Sequence, residues 1–215
     1  MTAKLSSELT QMKWERKLWK KGFRYIAGVD EAGRGPLAGP VVAAAVIFPK
    51  RKMPFEVNDS KKLSVTKREF LYHLIFEHAL AVGIGMSDEK VIDKINILQA
   101  TYRAMMEAIR NLQITPDHIL VDGIREIPDL SFPQIAIVKG DQKCFSIAAA
   151  SIIAKVTRDQ LMIKYDKRYP CYQFAKHKGY PTRHHIEAIQ KYGFCPIHRT
   201  TFKIKRLVQN GKKCQ

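Results

Sequence analysis

The 215-residue sequence is poor in the residues from which disulfide scaffolds and zinc sites are built. It contains four widely spaced cysteines, and no two of them form a Cys-x-x-Cys pair. This spacing argues against a disulfide framework and a zinc site, and it predicts free thiols in a reducing compartment. The sequence also lacks an uninterrupted apolar run of about 18 residues, the length that a membrane-spanning helix needs. Because no secretory signal opens the chain, we expect a cytoplasmic protein without a membrane partner.

Acidic residues are scarce relative to basic ones. The chain has 37 Lys and Arg residues against 20 Asp and Glu residues, which gives a formal net charge of +17. Residues 151–215 alone hold 15 basic residues and three acidic ones. This charge density favours binding to a polyanion such as nucleic acid, through phosphate contacts and counterion release. A basic surface that serves only solubility is the alternative.

The hydrophobic periodicity predicts an α/β fold. Short runs rich in Val, Ile and Ala predict strands, and longer segments with helical periodicity predict helices. The strands are expected at 24–29, 41–48, 80–86, 118–121 and 134–138, and the main helices at 64–79, 88–112 and 145–164. The first three strands form a meander and the later ones alternate with helices, so we expect a mixed five-stranded sheet flanked by helices.

Three segments are predicted along the chain. Residues 1–23 are expected to form a basic helical extension, and residues 24–165 the α/β core. Residues 166–215 contain three prolines between short helical stretches, which is typical of a small helical appendage. Because this C-terminal segment is basic, we expect it to contribute to binding of the nucleic acid on which the protein acts.

Acidic residues follow three of the predicted strands. Asp30 and Glu31 follow the first strand, Asp122 follows the fourth, and Asp141 comes shortly after the fifth. Catalytic groups in α/β sheets gather at the carboxyl ends of strands, so these ends are expected to converge. Carboxylates suit Mg²⁺ or Mn²⁺, and two such ions serve phosphodiester hydrolysis. Taken singly, each acid is more often a structural turn residue.

Two loops marked by glycine and proline contain the candidate binding residues. In Gly33-Arg34-Gly35 the glycines allow backbone N–H groups to face an oxyanion, and Arg34 can add a charge-assisted contact to a phosphate. Tyr180 lies between basic residues, where its ring can stack on a base or sugar. The alternatives are a turn that only reverses the chain and an aromatic anchor of the C-terminal segment. The pair His184-His185 is expected on a helix surface.

Six segments resemble, in order, the motif series of the bacterial ribonuclease HII family, and together they span about residues 25–206. The segments are Gly28-Val29-Asp30-Glu31-Ala32-Gly33-Arg34-Gly35-Pro36, Asn58-Asp59-Ser60-Lys61-Lys62-Leu63, Val121-Asp122-Gly123, Lys139-Gly140-Asp141, the stretch from Ser146 to Asp159, and His177-Lys178-Gly179-Tyr180-Pro181-Thr182.

The resemblance implies a ribonuclease H-like fold and an endoribonuclease that hydrolyses the RNA strand of RNA–DNA hybrids. It also implies incision 5′ of ribonucleotides embedded in duplex DNA. The implied mechanism uses two metal ions, Mn²⁺ or Mg²⁺, and leaves 3′-hydroxyl and 5′-phosphate ends. The implied partners are the RNA–DNA hybrid and the ribonucleotide-containing duplex. The lack of an evident oligomerisation surface predicts a monomer.

By motif position, the resemblance assigns metal binding and catalysis to Asp30, Glu31, Asp122 and Asp141. It assigns recognition of the ribose 2′-hydroxyl to the loop Gly33-Arg34-Gly35.

The resemblance further assigns substrate reading to Tyr180. Lys61 and Lys62 lie in a motif that borders the substrate groove, and their roles stay open. The extension before the first strand departs from the motif series and is too short for the extra N-terminal substrate-binding domain of ribonuclease HIII. It is expected to be either a basic arm that lies on the duplex or a packing helix.

Two other classes of protein fit parts of the sequence. A non-catalytic nucleic-acid-binding protein would use the same basic segment, but clustered carboxylates are costly in a protein that only binds polyanions. A nuclease of the same fold that cuts DNA junctions is the second alternative. A nicking assay on duplex DNA with one ribonucleotide, beside an all-DNA control, distinguishes these classes.

Overall fold

The structure is a computed structural model that describes residues 12–57, 60 and 63–203. Residues 1–11, 58–59, 61–62 and 204–215 lie outside the described residues. Lys61 and Lys62, which were predicted to border the substrate groove, are therefore among the residues without a structural description.

A mixed five-stranded sheet with the order β3-β2-β1-β4-β5 forms the centre of the described part of the chain. The first three strands pair antiparallel, whereas β1, β4 and β5 are parallel. This agrees with the predicted meander followed by strand–helix alternation. The strands are β1 Ile26–Ala32, β2 Val41–Ile47, β3 Ala81–Ser87, β4 His118–Asp122 and β5 Gln134–Ile137.

Strand β1 is longer at its carboxyl end than the sequence predicted. Its pairing with β2 continues to Ala32, so Asp30 and Glu31 lie inside the strand and not after it. On the other side, Val29 of β1 is the partner of Val121 in β4. The next residues along these parallel strands are Asp30 and Asp122, which therefore lie side by side at one edge of the sheet.

Helices cover both faces of the sheet. Ser64 begins α2 as predicted, because its side chain accepts a hydrogen bond from the Lys67 N–H at 3.3 Å. Asn96 interrupts α3 with a φ of 67°, and α4 continues one turn beyond its predicted end. The helices are α1 Lys13–Lys20, α2 Val65–His78, α3 Glu89–Arg110, α4 Phe145–Arg168, α5 Phe174–His177 and α6 Arg183–Tyr192.

The core consists of two apolar layers on opposite faces of the sheet. Helices α1, α2 and α4 pack on one face, and α3 packs on the other. Glycine allows the closest approaches: a Cβ at Gly28 of β1 would overlap the backbone of Ser146 and Ile147 in α4. The small side chains of α4 thus let it lie directly under the strand that carries the acid pair.

The C-terminal segment packs against the loop that follows β1. Leu37 and Ala38 from that loop join Met162 of α4 and apolar residues of α5 and α6 in a third buried cluster. The predicted boundary between residues 165 and 166 lies inside α4, which runs to Arg168. The division of the chain into three segments stays a prediction. Residues 13–20 of the predicted extension form a packing helix, in which Leu18 and Trp19 are buried.

Candidate active site

Four acidic residues lie at or beside the carboxyl edge of the parallel strands. Asp30 and Asp141 are buried, whereas Glu31 and Asp122 are half-buried. The Asp30 Oδ1 accepts a hydrogen bond from the Glu31 N–H at 2.7 Å, and the Asp122 Oδ1 accepts one from the Gly140 N–H at 2.6 Å. The second bond ties the end of β4 to the turn that carries Asp141.

Gly140 allows that turn to approach Asp122. A Cβ at this position would lie 2.6 Å from the Ile147 Cδ1 and 3.2 Å from the Asp122 Oδ1. The first distance is an overlap, so a larger residue would require the buried Ile147 side chain or the turn itself to shift. The motif Lys139-Gly140-Asp141 therefore has a steric reason for its central glycine.

The carboxylates at this edge of the sheet repel one another, and the nearby cation Arg34 offsets only part of their negative charge. Burial raises the pKa of Asp30 well above its ordinary value, and the charges of Glu31 and Asp122 raise it further. Burial also raises the pKa of Glu31, against the opposing effect of the Arg34 guanidinium, whose Nη1 lies 3.2 Å from Glu31 Oε1. A divalent cation relieves this kind of repulsion. The all-oxygen donor set suits a hard ion such as Mg²⁺ or Mn²⁺.

The carboxylates do not surround a common point as they stand. Among the residues that the structure describes, no group of three or more Asp, Glu, His or Cys side chains is arranged to hold a single metal ion. Two of the acids are engaged elsewhere, since Glu31 faces Arg34 and Asp122 faces the Gly140 N–H. A Mg²⁺ ion at this edge would be held by one or two of these carboxylates, with water and substrate oxygens as its other ligands.

Two serines near Asp30 were not singled out from the sequence. The Ser151 side chain donates a hydrogen bond to the Asp30 carboxylate, and its Oγ lies 3.0 Å from the Ser60 Oγ. Both serines lie in segments on which the family resemblance rests. A serine in such a segment does not by itself indicate a contact with a carboxylate, so neither role could be predicted from the sequence. Their contact joins the segment before α2 to α4 beside the acid pair.

The loop Gly33-Arg34-Gly35 and Tyr180 line one cleft with Glu31. This cleft has a volume of about 210 Å³ and is also lined by Ser151 and Lys155. A Cβ at Gly35 would lie 3.6 Å from the Tyr180 ring, so the loop and the aromatic side chain are neighbours. A second cleft, of about 390 Å³, opens on the other side of Glu31, where Asp122 also lines its wall.

Two buried arginines hold the loop after β1, and sequence reasoning missed both. Arg199 donates to the carbonyl oxygens of Gly33 at 2.6 Å, Pro36 at 2.8 Å and Gly39 at 2.7 Å. Arg158 of α4 donates to the carbonyl oxygens of residues 38, 40 and 178 at 2.9–3.0 Å.

These two arginines are basic residues whose charge is not on the protein surface. Burial lowers the pKa of Arg158 to about 10 and that of Arg199 to about 9. Both belong to the 15 basic residues of 151–215 from which polyanion binding was predicted. Their side chains are 1% exposed and satisfy backbone carbonyls instead, so charge count alone could not distinguish them from surface residues.

The family model described as Ribonuclease HII matches residues 27–205. The chain belongs to the ribonuclease HII family. The ribonuclease HII of Syntrophus aciditrophicus is 58% identical over 192 residues, which are 89% of this chain and 90% of that protein. That of Geobacter metallireducens is 57% identical over 196 residues, covering 88% of this chain and 92% of that protein. The crystal structure of the ribonuclease H2 from Pyrococcus horikoshii matches with a TM-score of 0.72 at 31% identity, covering 86% of this chain and 97% of that one.

Membership of the ribonuclease HII family makes this chain a type 2 ribonuclease H, a nuclease that degrades the RNA of RNA–DNA hybrids. The predicted ribonuclease H-like fold and family resemblance are confirmed. A non-catalytic binding protein is thereby excluded. In the described part of the chain, no helix has both the length and the apolar character needed to cross a membrane.

Proposed function

We propose that this ribonuclease HII also incises duplex DNA on the 5′ side of embedded ribonucleotides. The observation that carries this proposal is the shared cleft, in which Glu31 lies beside the loop Gly33-Arg34-Gly35 and Tyr180. A residue of the acid edge and the groups suited to reading a sugar thus meet at one place. The ribonucleotide that the loop and Tyr180 recognise would then be the nucleotide next to which the strand is cut.

The metal ligands in this proposal are Asp30, Glu31, Asp122 and Asp141, and the ions are Mg²⁺ or Mn²⁺. The raised pKa values of Asp30 and Glu31 support the assignment, because buried like charges at one edge favour a cation. When bound, two such ions supply Lewis acidity to the phosphodiester and lower the pKa of water. Asp30 is held for this role by the Glu31 N–H and the Ser151 hydroxyl.

Selectivity for a ribonucleotide requires a contact that DNA cannot provide, and the 2′-hydroxyl is the available difference. Gly35 leaves the loop backbone open to a sugar beside the Tyr180 ring because no Cβ intervenes. Tyr180 is 42% exposed and can stack on the adjoining sugar. Hydrolysis at the 5′ phosphate of this nucleotide leaves a 3′-hydroxyl on the upstream strand and a 5′-phosphate on the ribonucleotide.

Binding of the duplex is assigned to the basic C-terminal part of the chain, residues 151–215. Exposed cations on α4, α5 and α6 support this assignment, because phosphate neutralisation supplies most of the sequence-independent affinity. These residues are Lys164, Lys167, Arg168, Lys176, Arg183 and Lys191. The proposed enzyme acts as a monomer in the cytoplasm.

The test is a cleavage assay on three duplexes: DNA with one ribonucleotide, an RNA–DNA hybrid, and DNA alone. With Mg²⁺ or Mn²⁺ we expect a single nick 5′ of the ribonucleotide, cleavage of the hybrid, and no cleavage of DNA. A chelator should abolish all cleavage. Cleavage of the hybrid with no nicking at the single ribonucleotide would refute the incision proposal and leave the ribonuclease H activity intact.

The metal assignment is tested by Asp30→Asn. We expect cleavage to fall by more than about a hundredfold, because the substitution removes a ligand charge from the acid edge. Hybrid binding, measured by electrophoretic mobility shift in the absence of turnover, should change little. Asp129→Asn is the matched control, since Asp129 is exposed and outside both clefts. Full cation-dependent activity in Asp30→Asn would contradict the assignment.

A further inference from the structure

Three imidazoles lie together in the C-terminal segment, and the proposed chemistry uses none of them. They belong to His177 of α5, His185 of α6 and His198. His185 is fully buried and His198 is 3% exposed, although the sequence predicted that His185 lies on a helix surface. The His177 and His185 rings are stacked with centroids 4.4 Å apart, and the Nε2 atoms of His185 and His198 are 3.1 Å apart.

The hydrogen bonds determine where each proton lies in this cluster. The His185 Nδ1 is 2.9 Å from the Tyr180 carbonyl oxygen, which can only accept, so this nitrogen carries the proton. The Nε2 of neutral His185 is then an acceptor, and the His198 Nε2 must donate to it. The His198 Nδ1 is left unprotonated, and it accepts from the Cys195 N–H at 2.9 Å.

This chain of hydrogen bonds ends on the backbone of Tyr180. The Tyr180 N–H donates to the His177 carbonyl at 2.9 Å, and the Gly179 N–H donates to the His177 Nδ1 at 3.2 Å. The Gly179 carbonyl in turn accepts from the Leu37 N–H at 2.8 Å. The histidines therefore hold the tyrosine loop against the loop that contains Gly35.

We propose that His185 is a positioning residue for Tyr180, held by His198 in the tautomer that donates to the Tyr180 carbonyl, and that it sets the selectivity for a ribonucleotide in duplex DNA. The proposal rests on the reading role proposed for Tyr180. Among the contacts of the described residues, the pair makes no hydrogen bond or ring contact with the four acids of the proposed metal site. It acts by fixing the Tyr180 backbone, and hence the position of the ring beside Gly35.

The geometry makes the pair sensitive to acid. A proton added to His185 would place two N–H groups opposite each other across 3.1 Å, and a proton added to the His198 Nδ1 would face the Cys195 N–H at 2.9 Å. Burial lowers the pKa of both rings to about 4, which keeps the pair neutral near pH 7. The titratable and charged groups around it include His177, Tyr172, Cys195, Lys178, His184 and, facing His177 from α4, Asp166.

Two substitutions of similar size separate the two hydrogen bonds of His185. In His185→Asn the amide nitrogen takes the place of Nδ1, so the donor to Tyr180 is kept. In His185→Gln the amide takes the place of Nε2, so the contact with His198 is kept and the donor to Tyr180 is lost. The measured quantity is the rate of nicking at a single ribonucleotide divided by the rate on an RNA–DNA hybrid.

We expect His185→Gln to lower this ratio about tenfold, the effect of one buried hydrogen bond, and His185→Asn to stay within about threefold of the wild type. In a Tyr180→Ala background, His185→Gln should have no further effect, because it acts through Tyr180. Equal losses in both His185 variants, or full additivity with Tyr180→Ala, would overturn the proposal. Thermal midpoints of all variants show whether they are folded.

Two measurements do not depend on cleavage. Nitrogen NMR of the wild-type protein should show the proton of His185 on Nδ1 and that of His198 on Nε2, and the opposite tautomers would overturn the proposal. Amide exchange at residues 178–180 should be faster in His185→Gln than in His185→Asn. An unchanged ratio in Tyr180→Ala would contradict the proposed reading function; unchanged exchange in His185→Gln would contradict the positioning role itself.

Discussion

Gly33 has a φ of +99° in the loop between the acid edge and Tyr180, a conformation that an L-residue adopts only with strain. A Cβ at this position would also overlap the Arg158 side chain. Arg158 cannot retreat freely, because its guanidinium is engaged by three backbone carbonyls. Glycine is therefore required at position 33 for two reasons: the positive φ of the loop and the space that the buried Arg158 side chain occupies.

Gly33→Ala should cost about 1–3 kcal/mol of stability and lower the preference for a single ribonucleotide over a hybrid, because the loop must shift. Gly22→Ala is a matched control: Gly22 has a φ of +98°, and a Cβ there meets nothing within 4 Å. Urea unfolding should show a cost for both variants, and only Gly33→Ala should change the cleavage ratio. An equal ratio in the two would contradict the reading role of the loop.

At the scale of elements, local sequence signals predicted the strands and helices well. Ser64 has the capping side chain that starts α2, and the Val- and Ala-rich run of 41–47 is the buried strand β2. Local sequence signals could not predict contacts between segments that are distant along the chain. The length of β1 depends on its pairing with β2, and the burial of Arg199 depends on the loop carbonyls 160 or more positions away.

Helix α1 also makes a long-range contact that local sequence signals could not predict. Its sequence is basic, yet its one acidic residue, Glu15, is buried and caps α4. The Glu15 Oε1 accepts from the N–H and the hydroxyl of Ser146, at 2.9 and 2.8 Å. The contact joins the N-terminal helix to the helix that lies under Asp30. No local pattern indicates a partner that is 131 positions distant.

Glu15→Ala should destabilise the protein by about 2–4 kcal/mol, because two buried donors of Ser146 lose their acceptor. Lys13→Ala on the same helix is the control, since Lys13 is exposed and should change stability by less than about 0.5 kcal/mol. Chemical denaturation measures both. Equal stability of the two variants would show that the contact does not hold α1 on the core.

At the scale of the molecule, the site is assembled from segments that span most of the chain. The acids come from β1, β4 and the turn after β5, and Tyr180 comes from the C-terminal segment. The sequence could predict that strand ends converge, because parallel strands share an edge. It could not predict that Glu31 turns toward Arg34 or Asp122 toward Gly140, since these orientations depend on tertiary geometry.

Stability of the whole molecule should depend on pH at this acid edge. The folded pKa values of Asp30 and Glu31 lie above their ordinary values. Between the unfolded values near 4 and the raised folded values, the folded state binds more protons than the unfolded state. The contribution of these acids to stability is therefore greatest in acid and is lost as pH rises through the folded pKa values. At neutral pH, without a cation, both charges oppose folding.

A divalent cation should reverse this penalty. At neutral pH, millimolar Mg²⁺ or Mn²⁺ should raise the unfolding temperature, by about 2–4 °C for each kcal/mol of binding free energy. In mild acid, where protons compete for the carboxylates, the increase should disappear. Calorimetry of Asp30→Asn should show no response to the cation, whereas Asp129→Asn should respond as the wild type does. If the unfolding temperature of the wild type does not change when the cation is added at neutral pH, the acid edge does not bind the cation.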